Sequence, residues 1–315
     1  MTAAVRSRAG TLTPVPARVI DVADVALPFR RETHDAVARF PRPLKVVGML
    51  TQADGPAHTY AQYARRGAEE AGITMEVWQL DAADVPAATR QANADPAVDG
   101  IFLYYPLIDP VADRWQRELV DPRKDVEGMH SFWSRLLYEN RRYVDDAATQ
   151  RAILPCTPLG IVKLLDAAGL QGRGKRAPLD GINVCVINRS EIVGRPLSAM
   201  LANDGATVIS LDLTGTVVFE PAIGRRAHAV RDASIGRAQA LSAADAVITG
   251  VPSRDFPLVT ADELKPGVIC VNFSEFRNFD DSMLDVASAF VPRVGPMTVA
   301  MATRNLVRLA RLGST

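Results

Sequence analysis

The sequence predicts an α/β protein of two units. Short apolar runs alternate with helical stretches along most of the chain, and a compact strand-turn-helix-strand unit begins midway at GINVCVINRS. With 315 residues, 48% of them hydrophobic, the chain can bury at least one large core and more readily two.

The elements follow in order. The first twenty residues carry arginines and no acid before Asp21, but they lack the continuous apolar core of a secretory signal. They read as a frayed start, with organelle targeting as the alternative. LKVVGML (44–50), AHTYAQYARRGAEEAGI (57–73), MEVWQL (75–80), a helical stretch to Ala94 and GIFLYYPL (100–107) then alternate as parallel strands and helices. This first unit should end near CTPLGIVKLLDAAGL (156–170), where Thr157 and Pro158 have the residue types of a helix cap and a first helical position. The second unit opens with a strand at 182–187, a turn, a helix from about Arg195 to Asn203, and the strand ATVISLD (206–212). Residues 214–241 mix polarities without a clean period and are expected to be an irregular excursion. DAVITGVP (245–252) and GVICVNF (267–273) resume the sheet, and PMTVAMATRNLVRLARL (296–312) closes the chain as a helix.

Charge narrows the function classes. Lys+Arg and Asp+Glu are both 36, so no net field draws the protein to nucleic acid, and no apolar run approaches the roughly 20 residues of a membrane span. A small-molecule partner is favoured. Cys156, Cys185 and Cys270 are odd in number and far apart, which suits reduced thiols in a cytoplasm. His34, His58, His130 and His228 have no ligand-type spacing with them, so no metal site is expected.

The turn VINRSEIVGRP (186–196) resembles a dinucleotide-binding turn whose first glycine is replaced by Asn188. Asparagine is the best substitute where positive φ is needed, and Ser190 and Gly194 stand at suitable places. An ordinary strand-to-helix turn would share these features. Asp212 sits at the end of the second strand, 18 residues beyond Gly194 (212 − 194), where an acid would accept hydrogen bonds from adenosine ribose hydroxyls and repel a 2′-phosphate. NAD is therefore favoured over NADP. Arg189 points the other way, since an arginine there could pair with a 2′-phosphate, and Asp212 could also be a simple turn acid.

Five ordered motifs, YPL (105–107), KDVEG (124–128), PCTPLGIVKLL (155–165), NRSEIVGRP (188–196) and VGPMTVAM (294–301), resemble those of the methylenetetrahydrofolate dehydrogenase/cyclohydrolase family. INRSEIVGRPL, LANDGATV, KDVEG and the excursion after Asp212 are most similar to its monofunctional, NAD-dependent branch. The resemblance implies a folate-binding catalytic domain of residues 1–160 with 296–315, an NAD-binding Rossmann-type domain of residues 161–295, a last helix returning to the first domain, and a homodimer. It implies tetrahydrofolate one-carbon derivatives as substrates and NAD as cofactor, held by Asn188, Arg189, Ser190, Ile192, Val193, Gly194 and Asp212. Tyr60, Tyr104 and Glu127 would form the catalytic group. Tyr60 and Glu127 would also bind the pterin, Glu127 through its donor edge, while Pro296 and Met297, after Gly295, would line the folate cleft.

The match has departures. The family helix carries Tyr-x-x-x-Lys, whereas Tyr60 is followed at i+4 by Ala64; Tyr104 replaces a glutamine and Glu127 an aspartate. Arg65 is one residue on, a rotation of about 100° away around the helix. With no amine for proton transfer, cyclohydrolase activity should be weak or absent, while hydride transfer requires orientation and electrostatics rather than a base. A bifunctional enzyme, an NADP-dependent one, a non-catalytic folate- or nucleotide-binding protein and another pterin carrier remain alternatives. Cys156 is read as a small structural residue, and Arg65 and Arg66 as a solvated helical face or a polyglutamate attractor.

Overall fold

Two sheets organise the chain. The structure, a computed structural model, describes residues 16–222 and 227–312, so most of the frayed-start expectation lies outside the described residues. After a short strand β1 (Arg18–Val19), Asp21 opens helix α1 (Val22–Val37), its carboxylate accepting from the N–H groups of Ala23 and Asp24 at 2.9 and 3.4 Å. The sequence reading missed this helix. Its buried residues Val22, Ala26, Thr33 and Val37 form a thin stripe among charges, and its apolar partner lies at the far end of the chain.

The smaller sheet comes next: β2 (Lys45–Leu50), α2 (Gly55–Glu70), β3 (Thr74–Gln79), α3 (Val85–Ala94) and β4 (Gly100–Leu103). Its order is β3-β2-β4, all parallel. β2 is apolar on both faces because both are covered: Val47 and Met49 join α3 residues Val85, Ala88 and Ala92, while Val46 and Leu50 join the main core. Helices α4 (Pro110–Leu119), α5 (Ser131–Tyr138) and α6 (Cys156–Ala168) lead to the larger sheet. Helix α6 begins at Cys156 after Pro155, so Thr157 lies in the first turn and is not its cap. The helix is also continuous through 160, so a domain boundary at 160/161 would cut it.

The larger sheet contains β5 (Asn183–Ile187), α7 (Gly194–Asn203), β6 (Thr207–Asp212), β7 (Gly215–Pro221), β8 (His228–Ala233), α8 (Arg237–Ala243), β9 (Ala246–Thr249), β10 (Ile269–Asn272) and β11 (Ala289–Val291). Its order is β1-β11-β10-β9-β5-β6-β7-β8. Two expectations are corrected here. Residues 18–19, placed with the first domain, pair in parallel with β11. The stretch after Asp212 is not irregular: β7 pairs antiparallel with β6 and β8, extending the sheet edge. Asp212 faces Gly215 across a tight turn at Leu213–Thr214, and Gly215 takes φ +107°. Phe219 and Val218 are buried, but the mixed outer face of the hairpin hid its period.

Helix α9 (Gly295–Leu312) packs against α1, α2 and α6. Gly67 and Gly160 permit the close approach, since a Cβ at either would meet Val299 or Met297 side chains at 2.8 and 3.1 Å. Buried Asn305 donates to the carbonyls of Val126 and Leu154, both at 3.0 Å, pinning the KDVEG loop from the last helix. Among the described residues, no helix is long and apolar enough to cross a membrane.

Asn305→Leu should strand the buried Val126 carbonyl and the partly buried Leu154 carbonyl and destabilise the fold by about 2–6 kcal/mol, at roughly 1–3 kcal/mol for each unmet group. Urea denaturation of the variant beside the wild-type chain measures it.

Candidate active site

The larger sheet reverses its strand order between β5 and β9, and a crevice opens at the carboxyl ends of these strands. Asn188 follows β5 with φ +150°, a conformation glycine enters more cheaply. Its side chain stabilises this backbone: Nδ2 donates to the Gly250 carbonyl at 2.8 Å, and Oδ1 accepts from Ser190 N–H at 2.8 Å. The asparagine thus replaces the missing glycine and ties β5 to the end of β9. Gly194 admits no side chain, because a Cβ would lie 1.8 Å from the Asn188 carbonyl oxygen. Ser190 Oγ accepts from the N–H groups of Val193 and Gly194 at 3.3 and 3.4 Å, closing the turn onto α7.

Asp212 and Arg189 are separated in role by their partners. Asp212 is exposed at the end of β6, where Oδ2 accepts from the Arg189 backbone N–H at 2.8 Å. The Arg189 guanidinium turns into the hairpin, donating to the Ser210 and Gly215 carbonyls at 3.2 and 3.0 Å and to Thr214 Oγ1 at 2.6 Å. The arginine that could have received a 2′-phosphate is engaged in holding the sheet edge. The carboxylate keeps Oδ1 without a partner among the described residues, which suits ribose hydroxyls.

Between the two sheets lies a cavity of about 560 Å³. Tyr60, Tyr104 and Glu127 line one side, and Asn188, Ser190, Ile192 and Val193 line the other. Arg189, Gly194 and Asp212 shape the cofactor turn without reaching this wall. Pro296 and Met297 are buried behind the wall and do not line it; Gly295 and Thr298 do. A helix presents i and i+3 on one face, so Gly295 calls for Thr298 as its neighbour there. Phe102, Tyr105, Gly250, Phe273, Ser274, Glu275 and Arg293 also line the cavity and were not singled out from sequence. The last five were legible only as strand ends or loops until the strand order placed them at the crevice.

The wall around Glu127 is dry and aromatic. Tyr60 meets Tyr104 edge-on at 5.9 Å between centroids, and Tyr104 lies 4.7 Å from Phe102. Gly48 makes room for Tyr104, since a Cβ would stand 2.8 Å from its ring. The hydroxyls of Tyr60, Tyr104 and Tyr105 are buried without protein partners among the described residues. Glu127 Oε2 accepts from Leu103 N–H at 2.8 Å, but burial, with the charge of Asp125, pushes its carboxyl well above the usual range. Burial likewise raises the Tyr60 and Tyr104 phenols, and then the Cys156 thiol beside Glu127, leaving Cys156 an inert buried thiol.

Ala64 is buried and faces a second, apolar void of about 20 Å³ lined by Phe102, Val126 and Val299 among others. Phe102 lines both spaces, and Ala64 lines only the void. Arg65 is exposed and lies 3.8 Å from Glu69, directed away.

Comparison with known proteins agrees with this layout. The model for the catalytic domain of tetrahydrofolate dehydrogenase/cyclohydrolase matches residues 20–127, and that for its NAD(P)-binding domain matches residues 155–313. The chain belongs to the tetrahydrofolate dehydrogenase/cyclohydrolase family. It is 36% identical over 299 residues to a methylenetetrahydrofolate dehydrogenase [NAD(+)] of Schizosaccharomyces pombe, covering 93% of this chain and 92% of that one. It is 37% identical over 313 residues to the protein of that name from Saccharomyces cerevisiae, covering 94% and 97%. The solved structure of the Saccharomyces cerevisiae NAD-dependent 5,10-methylenetetrahydrofolate dehydrogenase superposes with a TM-score of 0.89 at 35% identity, covering 95% of this chain and 99% of that one.

In this family member an ion-pair clamp joins the two sides of the cleft. Glu191, inside the cofactor turn, takes two bonds from Arg114 at 3.0 and 2.7 Å and one from Arg117 at 3.0 Å, both on α4. Arg117 is only 10% exposed, so its guanidinium depends on this partner more than Arg114 does.

Glu191→Ala should leave Arg117 unpaired, cost about 2 kcal/mol, and speed amide exchange across residues 188–194. Hydrogen-exchange mass spectrometry reads it; unchanged exchange there would remove the clamp. Glu127→Gln tests the buried acid. A carboxyl raised by folding stabilises fully below its unfolded pKa and loses that contribution as pH rises through its folded pKa. The variant should therefore gain stability relative to wild type as pH rises, in thermal unfolding at pH 5 against pH 9.

Proposed function

We propose that the chain is an NAD-dependent methylenetetrahydrofolate dehydrogenase, oxidising 5,10-methylenetetrahydrofolate to 5,10-methenyltetrahydrofolate with little or no cyclohydrolase activity. One observation carries this reading: a single cavity brings Asn188 to Val193 of the cofactor turn together with Tyr60, Tyr104 and Glu127. The Schizosaccharomyces pombe and Saccharomyces cerevisiae relatives bear the name of this activity.

The cofactor residues fit NAD by the geometry at two points, a turn in which only glycine fits at 194 and a strand-end Asp212 with a free carboxylate oxygen. When bound, the nicotinamide supplies the hydride acceptor. The remaining work falls to the chain. Glu127 accepts from the amide and amine of the pterin edge, and those donors return it to the ionised form that burial opposes. The pterin enters between Tyr60 and the strand ends, where the raised phenols stay protonated and offer hydroxyl donors. The substrate's flanking nitrogen stabilises the positive charge that develops on the one-carbon bridge. Among the described lining residues only Arg293, exposed at the rim, is cationic, so no ammonium opposes that charge.

Hydrolysis of the methenyl product would require a proton acceptor of the amine type, and the Ala64 position faces an apolar void. The protein works as a homodimer in the cytoplasm, on folate-type one-carbon derivatives.

Purified protein should turn over 5,10-methylenetetrahydrofolate with NAD and not with NADP, and methenyl product should disappear no faster than in buffer. Enzyme-dependent methenyl loss in this spectrophotometric assay would sink the monofunctional reading, and equal NADP use the reading of Asp212. Asp212→Ser should lower kcat/KM for NAD by about tenfold, the effect of a lost charged hydrogen bond of roughly 1.4 kcal/mol. Light scattering on a sizing column gives the oligomeric state.

A further inference from the structure

A cavity of about 340 Å³ lies between α1 and the C-terminal half of α9, away from the cleft. Thr298, on the cleft, and Arg308, in this cavity, are ten residues apart on α9, or about 15 Å of helix. Arg39, in the turn just after α1, and Arg304, Arg308 and Arg311 from α9 line it, against two acids, Glu32 and Asp35. Four guanidiniums face two carboxylates. Glu32 is committed to Arg304 at 3.2 Å, and Asp35 lies 3.5 Å from His34 Nδ1.

Arg308 is the anomaly. It is partly buried, with no ion pair or side-chain hydrogen bond among the described residues, and Arg304 and Arg151 are like-charged neighbours. Burial followed by those two charges lowers it to about 10, unusual for a guanidinium. Glu32 attracts it in part, but that carboxylate is paired with Arg304, and a half-buried cation without an ion pair of its own is costly. A favourable interaction of these arginines with the helix C-terminus offsets part of that cost, but gives the guanidinium no acceptor. On the opposite wall Thr33 is 2% exposed, and its hydroxyl has no partner among the described residues, although helical threonines commonly bond the preceding turn. Arg308 and Thr33, each without a hydrogen-bond partner of its own among the described residues, therefore line one space, the Thr33 hydroxyl shielded from solvent beneath it.

We propose that this groove binds a phosphoryl group, as inorganic phosphate or as the phosphate of a small monoester. The planar forks of Arg308 and Arg311 match phosphate oxygens, Arg39 adds charge, and the Thr33 hydroxyl supplies a neutral donor at the floor. Glu32 holds Arg304 in place beside it and keeps the site from being a diffuse basic patch.

The test is thermal unfolding of the full chain titrated with sodium phosphate or phenyl phosphate, against sodium chloride at matched ionic strength. Saturating NAD is present, so that the cofactor turn does not contribute an anion response. Phosphate should raise the wild-type Tm saturably; Arg308→Met should abolish the shift, and Thr33→Val should weaken apparent affinity several-fold. Without phosphate, Arg308→Met should itself unfold at a higher temperature than wild type, because an unpaired charge has been removed. A larger response to phenyl phosphate identifies a monoester as the preferred source, and equal responses identify the phosphate itself. Wild-type shifts no greater than those in chloride, or equal phosphate shifts in wild type and Arg308→Met, overturn the proposal.

Discussion

The cleft depends on the last helix lying back across the first half of the chain. α9 contributes Gly295 and Thr298 to the cavity wall, presses Val299 onto Gly67 and Met297 onto Gly160, and pins the Glu127 loop through Asn305. Each contact needs a glycine or a buried amide at the right place on an element distant in sequence. Without α9, α1 and α2 would expose their apolar stripes, the loop from Lys124 to Gly128 would lose its bond from Asn305 to Val126, and Leu154 before α6 would lose the other. Glu127 could then relax towards water, and the dry environment that raises its carboxyl would be lost.

A second constraint runs across the cleft through charge. Arg117 pairs with Glu191 on the cofactor turn and also acts on Glu127, lowering its carboxyl against the larger effect of burial. One guanidinium therefore influences the buried acid of one wall while fixing the position of the turn on the other. Asn188 has the complementary role, closing the seam between β5 and Gly250 with its amide. The two sides of the cavity are joined by a few directed bonds near its mouth as well as by core packing.

Most of the strand and helix order was legible in the sequence because parallel strands buried on both faces read as continuous apolar runs. Asn188, Gly194 and Asp212 were readable from turn chemistry and spacing, and they stand after β5, at the start of α7 and at the end of β6. α1 was not readable, because four buried residues among charges look like a surface segment until α9 covers them. The β7–β8 hairpin hid for a related reason: its outer residues are exposed and its inner ones few. Pro296 and Met297 were misplaced because a motif gives positions along a helix but not the rotation of that helix; the wall falls on 295 and 298. Ser274, Glu275 and Gly250 could not be found from local patterns, since only the strand order brings β9 beside β5 and β10 next to β9.

Ala64 shows how packing can resist a new side chain. The space beside it is a void of about 20 Å³, smaller than a lysine side chain, walled by Phe102, Val126 and Val299. A lysine placed at 64 would face hydrocarbon, with Phe102 between that void and the cleft. Making room for an amine there would require coordinated changes in α2, β4 and α9, with the first step unfavourable taken alone. The absence of an amine at this position is therefore a property of a packed wall as well as of one residue.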